Sequence, residues 1–274
     1  MVRTILVLSI MTFALGCSRK QPEGLAQLRE EFVFQQLAFS PTLATQAGYH
    51  QHKGASLDTA LDDVSETALN TQRQFYRQFR DRLKQAVQPE RLAPEDRADY
   101  DVISGQISLA LLELDEIQNY RHNPTVYVEL IGSALFYPYV LEYAPKPERY
   151  RHVIARLEKV PALLDQAKKN LLDSPEIWVK VALEENAGTI ELVGTALREG
   201  APAELSADYK RAADPALAAL RAFGDYLKTD LAKRQGDWRI GKEKYAKKFR
   251  YVLETDQTPE QVLAAAEAEL KKVR

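Results

Sequence analysis

Apolar positions recur along this chain at intervals of three and four residues, the spacing that lines one face of an α-helix. Leu25, Leu28, Phe32, Gln36 and Phe39 fall on one such face. Leu61, Val64, Ala68, Phe75, Phe79, Leu83 and Val87 trace a second, with one polar gap. Tyr100, Ile103, Ile107, Leu111, Leu114 and Ile117 trace a third, and Tyr150, Val153, Ile154, Leu157, Val160, Leu164 and Leu171 a fourth. Leu217, Leu220, Phe223 or Tyr226, Leu227 and Leu231 keep the same period. So do Tyr245, Phe249 and Val252 or Leu253, and then Val262, Leu263, Ala266, Leu270 and Val273. No stretch convincingly alternates with the two-residue period of a half-buried strand. The pattern predicts an all-α fold, a multi-helix array of amphipathic helices.

Proline, glycine and capping residues divide the pattern. Ser40-Pro41 restarts a helix, Ser as cap and Pro in the first turn, and Gly48 suits the residue just beyond its end. His50–Ser56 reads as a loop. Pro89 closes one helix and Pro94 opens the next, with Glu95 and Asp96 where the helix dipole favours anions. That helix ends before Asn123-Pro124. Gly132 and Pro138 predict short helices around a bend in the tyrosine-rich Pro124–Tyr143 stretch. Pro145 and Pro147 precede the fourth face, and Pro161 kinks or divides it. Ser174-Pro175-Glu176 is a cap-plus-proline start for a segment reaching Gly200. Asp214-Pro215 starts or kinks another helix, and Gln235-Gly236 ends it. Gly241 precedes a helix over Lys242–Leu253, and Thr258-Pro259-Glu260-Gln261 matches a capping box. Helices of roughly 15–30 residues are therefore joined by short Pro/Gly connections, with no internal repeat.

Charge changes the picture only by exclusion. Lysine plus arginine number 37 against 39 aspartate plus glutamate, a net charge of −2. There is no basic stripe of the kind nucleic acid requires. The single cysteine, Cys17, permits no intrachain disulfide. It follows Arg3 and the apolar run Thr4–Leu15, which is too short to span a bilayer, since a spanning helix needs about 20 residues. Ala14-Leu15-Gly16-Cys17 resembles the bacterial lipobox, in which the cysteine thiol becomes a thioether to diacylglycerol. Each acyl methylene buried in the membrane then adds about 0.8 kcal/mol. Ser18, rather than Asp, after the cysteine resembles the Gram-negative signal for the outer membrane, facing the periplasm. The reading divides the chain into a signal peptide (1–16), a tether after lipidated Cys17 (17–24) and one helical domain (25–274). The bland alternative is an ordinary signal peptide with a chance cysteine.

Candidate chemistry is sparse. His50-Gln51-His52 is the only histidine cluster, and a solvated loop pair explains it without a metal. Glu113, Asp115 and Glu116, and Glu184, Glu185 and Glu191, are carboxylate clusters of the sort polar helix faces generate routinely. Tyr127, Phe136, Tyr137, Tyr139 and Tyr143 form the densest aromatic patch. It is either core packing or, through Tyr127, Tyr137, Tyr139 and Tyr143, the wall of a peptide-binding cleft. Lys242, Lys244, Lys247, Lys248 and Arg250 read as a solvated basic face, or as a contact for anionic lipid or another domain.

Trp238-Arg239-Ile240-Gly241-Lys242-Glu243, Tyr245 and Thr258-Pro259-Glu260 together resemble the family called domain of unknown function 885. Ser40–Gly48, Asp96–Asp101, Asn123-Pro124 with Tyr127, and Arg156–Pro161 resemble its earlier segments in order. Members are large bacterial proteins, often lipoproteins, similar to gluzincin-type zinc metallopeptidases and typically about twice this length. The resemblance implies a zinc motif of the His-Glu-x-x-x-Gly-His kind in the second half. This chain holds no His-Glu pair; His50, His52, His122 and His152 are its only histidines. No catalytic or metal residue carries over, and zinc is implied only for the complete family protein.

The expectation is therefore a non-catalytic N-terminal helical portion of an envelope lipoprotein resembling a zinc-dependent peptidase. It would form one wall of a substrate cleft and meet the membrane through lipid on Cys17, with a peptide substrate in the complete protein. The alternative is a stand-alone helical envelope lipoprotein acting as a binding or scaffold module.

Overall fold

A computed structural model describes residues 24–273, so the leader, Cys17 and most of the tether lie outside the described residues. The helices are α1 (Leu25–Phe39), α2 (Pro41–Gln46), α3 (Glu66–Ala86), α4 (Pro94–Leu111), α5 (Asn119–His122), α6 (Thr125–Val140), α7 (Lys146–Leu157) and α8 (Val160–Asn170). They continue with α9 (Glu176–Glu191), α10 (Leu197–Gly200), α11 (Ser206–Thr229), α12 (Lys242–Leu253) and α13 (Pro259–Val273). The fold is all-α. Between α2 and α3 the expected loop contains a small antiparallel ribbon, β1 (Gln51–His52) against β2 (Ala55–Ser56).

Two apolar clusters hold the helices. The first gathers Leu28 and Phe32 of α1, Leu69, Tyr76, Phe79 and Leu83 of α3, and Ile103 and Ile107 of α4. The second is larger and is built from α6 to α11, around Tyr127, Ile131, Leu157, Tyr209, Leu220 and Phe223. Leu28, Phe32, Phe79, Leu83, Ile103, Ile107, Leu157, Leu220 and Phe223 lie on the faces the apolar period predicts, while on α3 the buried positions are Leu69 and Tyr76 rather than the expected Ala68 and Phe75.

Proline behaved differently from expectation at two places. Pro138 sits inside a continuous α6, and Gly132 does not break it either. A proline lacks the N–H that would bond the carbonyl four residues back. That carbonyl, Ala134, accepts instead from Arg156 Nη1 at 2.7 Å. Arg149 Nη1 then donates to the Pro138 and Tyr139 carbonyls at 2.7 and 2.8 Å. Two buried guanidiniums thus replace the backbone donors missing from the end of α6. Pro215 sits well inside α11, which begins at Ser206 rather than at Asp214-Pro215. There both Pro215 and Arg211, the owner of the freed carbonyl, are exposed, so water can supply the bond.

Other boundaries also moved. Helix α3 starts at Glu66, with the Ser65 hydroxyl accepting from the Ala68 amide at 3.2 Å. Leu61 and Val64, placed on the α3 face by their spacing, precede the helix and pack on the second cluster. Ser40 does not cap α2 itself; its hydroxyl donates to Asp62, whose other oxygen accepts from the Thr42 amide at 3.0 Å. The start of α9 has Pro175 in the capping position and no side-chain cap from Ser174. Pro161, in the first turn of α8, divides α7 from α8. The capping box of α13 forms in both directions: Gln261 Oε1 accepts from the Thr258 amide at 2.8 Å, and Thr258 Oγ1 from the Gln261 amide at 3.2 Å.

Candidate functional site

Three features carry the polar chemistry of the described residues. The first is a buried knot that joins the segment from α2 to α3 with α6 and α7. At its centre Arg156, with no exposed surface, donates to the carbonyls of Ala60 at 2.9 Å and Ala134 at 2.7 Å, and to Thr45 Oγ1 at 2.6 Å. The Pro41 and Leu57 carbonyls lie 3.3 and 3.2 Å from Nη2. Thr45 Oγ1 in turn bonds the buried Asp58 carboxylate at 2.7 Å. A hydroxyl therefore bridges the cation and the anion. His50 Nδ1 lies 3.0 Å from Asp58, and its ring stacks on Tyr143 with centroids 4.5 Å apart. The Tyr143 hydroxyl meets His152 Nδ1 at 3.0 Å, and that nitrogen is 4.0 Å from Asp58. His52 bonds the Tyr49 hydroxyl at 2.9 Å.

The histidine pair of the sequence is thus not a solvated pair. His50, just before the ribbon, lies against Asp58 and Tyr143, and α7 brings His152 beside it from a hundred residues away, which no local pattern announces. Among the described residues, no three His, Cys, Asp or Glu side chains form a set that could hold a metal. His122 is committed elsewhere, its Nδ1 2.7 Å from Asp173. The four histidines therefore do not fit the zinc site that the family resemblance implies.

Burial holds the His152 imidazole below its usual range, with Arg156 and His50 pushing the same way against Asp58 and Glu148. Burial, and then Lys53, lower that of His52. Both rings are therefore favoured neutral in the fold, and a neutral Nδ1 on His152 can accept from Tyr143. The unfolded chain takes up these protons nearer the ordinary value of 6.5, so the contribution is complete above that pH and is lost as pH falls below it. The fall in Tm between about pH 7.5 and about pH 5.5 should be smaller in His152→Gln than in the parent chain. An unchanged fall would count against this account.

The second feature is the solvent side of α6. The expected wall of four phenols is not formed. Tyr127 is sealed in the core, where burial drives its phenol well above the ordinary range. It donates to the Tyr120 carbonyl and accepts from Asn170 Nδ2 at 3.2 Å. Tyr139 packs against the second cluster, and Tyr143 belongs to the knot. Successive residues of a helix point about 100° apart, so clustering in sequence does not make one surface. Only Tyr137 lines an open groove, of about 300 Å³, with Thr42, Leu43, Asp62, Glu129 and Ser133. A neighbouring groove of about 340 Å³ runs between α6 and α9, past Glu129, Ser133, Phe136, Glu185, Thr189 and Leu192. Glu129 and Ser133 border both, so the two make one trough across α6.

The third feature is the arm formed by α12 and α13. Its basic face meets the acidic π-helical turn Leu112–Ile117 that continues α4, and the two charge runs that looked solvated pair with one another. Lys247 lies 2.8 Å from Glu116, Lys248 lies 2.6 Å from Glu113, and Lys244 Nζ donates to the Glu116 carbonyl at 2.6 Å. Arg73 and Arg77 hold Asp115 from α3. Neither arm helix buries a residue, while Tyr245, Leu253, Leu263 and Leu270 each keep half or more of their surface exposed.

Fold and site together define an all-α array with a locked polar interior, a trough across one helix and an uncovered C-terminal arm. The chain belongs to the family described as bacterial protein of unknown function (DUF885), which matches residues 41–274. Its fold is similar to the solved structure of a "putative lipoprotein of unknown function" from Shewanella oneidensis, with a TM-score of 0.78 and 22% sequence identity. That match covers 92% of this chain and 46% of the other, so the chain spans less than half the length of that protein. No curated protein matches this chain.

Proposed function

We propose that this chain is the N-terminal helical half of a bacterial envelope lipoprotein resembling a zinc-dependent peptidase, anchored at the outer membrane through lipid on Cys17. In the whole protein it forms one wall of a substrate cleft, and the metal and its ligands come from the other half. The observation that carries this reading is the arm. Beyond the basic face that docks α12, the helices α12 and α13 present Tyr245, Leu253, Leu263 and Leu270 to solvent, and such apolar surface marks an interaction face. The longer relative of the same fold supplies the reason for a covering half. The sequence before Cys17, the lipobox resemblance and the lipoprotein description of that relative support the anchor.

The test uses the chain as it stands, without its leader. It should hold no stoichiometric zinc, show no metal-dependent peptide cleavage, and bind an apolar dye that the double variant Tyr245→Ser/Leu263→Ser no longer binds. In cells, palmitate labelling should disappear in Cys17→Ser. Stoichiometric zinc with metal-dependent cleavage, or the absence of dye binding with an unaltered monomer, would overturn the half-protein reading and favour a stand-alone envelope module.

A further inference from the structure

The trough across α6 carries two carboxylates that nothing in the fold explains. Glu129 of α6 and Glu185 of α9 both border the groove of about 340 Å³. Among the described residues neither side chain makes a hydrogen bond or an ion pair. One oxygen of Glu185, Oε2, is closed off from solvent without a partner. Burial and the charge of Glu129 both push the Glu185 carboxyl upward, and no cation offsets them. Around them the walls are mostly apolar or small, with Val128, Gly132, Phe136, Gly188 and Leu192 beside the two hydroxyl residues Ser133 and Thr189. A Cβ built on Gly188 meets nothing within 4 Å, so the groove has open space beside the carboxylates.

A groove of this kind is uncomfortable when empty. Two like charges face one space with a low-dielectric lining, and one is already partly desolvated. An incoming cation relieves both at once, and an aliphatic stem leading to that cation matches the Phe136 and Leu192 walls. A divalent metal fits poorly, because two carboxylates in a largely apolar groove leave most of its oxygen ligands unsupplied.

We propose that the groove between α6 and α9 takes the basic side chain of an extended peptide, a Lys or Arg flanked by apolar residues, with Glu129 and Glu185 as its counter-charges. This rests on reading α6 as a wall of the substrate cleft, and it assigns that wall a preference for basic peptides.

The experiment titrates the full chain with three blocked peptides: acetyl-Leu-Lys-Leu-amide, its norleucine counterpart, which keeps the stem and removes the charge, and its glutamate counterpart. Binding is followed by methyl and amide chemical shifts. The lysine peptide should bind about tenfold more tightly than the norleucine peptide, and the glutamate peptide more weakly than either. In Glu129→Gln/Glu185→Gln, with the same thermal midpoint, the lysine advantage should vanish while norleucine binding stays. Shifts should centre on Gly132, Phe136 and Gly188. No saturable binding, no preference for the cation, or a preference that survives the double substitution would overturn the proposal. None of these outcomes touches the zinc or dye measurements on the arm, so a failure here is distinct from a failure of the half-protein reading.

Discussion

Arg156→Met is expected to lower the free energy of unfolding by about 3–5 kcal/mol, the cost of removing one partner from a buried, hydrogen-bonded charge system. The methionine fills much of the same volume, so the loss is polar. The Ala60 and Ala134 carbonyls and Thr45 Oγ1 lose their charged donor, and Asp58 keeps its buried carboxylate with Thr45 and His50 bonded to it and His152 4.0 Å away. The Ala134 carbonyl is the decisive one. Pro138 cannot supply its amide, so without Arg156 it is an orphan acceptor inside the fold. Arg156→Lys should recover only a small part of the loss, because one ammonium cannot span acceptors that the guanidinium fork reaches from three nitrogens. Urea unfolding of the three chains measures this directly. A loss under about 1 kcal/mol for the methionine variant would show that the knot is incidental to stability.

The same residue shows where sequence stops being informative. Helical period placed Val153, Ile154 and Leu157 on the buried face of α7 correctly, because burial and 3.6-residue spacing are one local fact. Arg156 lies between them and looks, by type, like a solvent residue. Its partners are 22 to 115 positions away, and nothing local encodes them. Pro138 was misjudged for the same reason: a proline ends a helix unless some distant donor takes the freed carbonyl, and the donor is invisible in the local text. The capping box at Thr258 was legible in full because both its bonds span three residues.

The candidate sites follow this rule. The aromatic patch of Tyr127, Tyr137, Tyr139 and Tyr143 was clustered in sequence but scattered around α6 and the segment after it, so one groove receives only Tyr137. The lysine-rich face of α12 and the acidic turn after α4 each read as solvated when taken singly. Their pairing needs the contact between two helices more than a hundred residues apart. The nearest local signal was complementarity of sign between two short charge runs. Glu129 had no signal at all, and Glu185 appeared only as one member of an ordinary acidic run.

The two apolar clusters set the last expectation. Phe79→Ala should cost about 3–5 kcal/mol, the range for truncating a fully buried aromatic side chain. Phe79 has no exposed surface, lies 5.3 Å from the Phe32 ring and 5.4 Å from the Phe75 ring, and carries the Arg82 guanidinium over its face at 5.4 Å. Removing it leaves a cavity at the centre of the α1–α3–α4 cluster, while the cluster formed by α6 to α11 keeps all its members. The connections between the two are largely polar. Tyr127 of the second cluster bonds the carbonyl of Tyr120, which packs in the first, and the Leu172 amide bonds the Arg121 carbonyl at 2.9 Å. Such bonds exchange for water at a net cost of only about 1 kcal/mol each, far less than reopening an apolar core. The destabilised cluster should therefore open by itself before the whole chain unfolds. In hydrogen exchange on Phe79→Ala, amides of α1, α3 and α4 should lose protection while those of α6, α9 and α11 retain it. A uniform loss across both sets would show instead that the two clusters behave as one cooperative core, with the polar connections transmitting the defect.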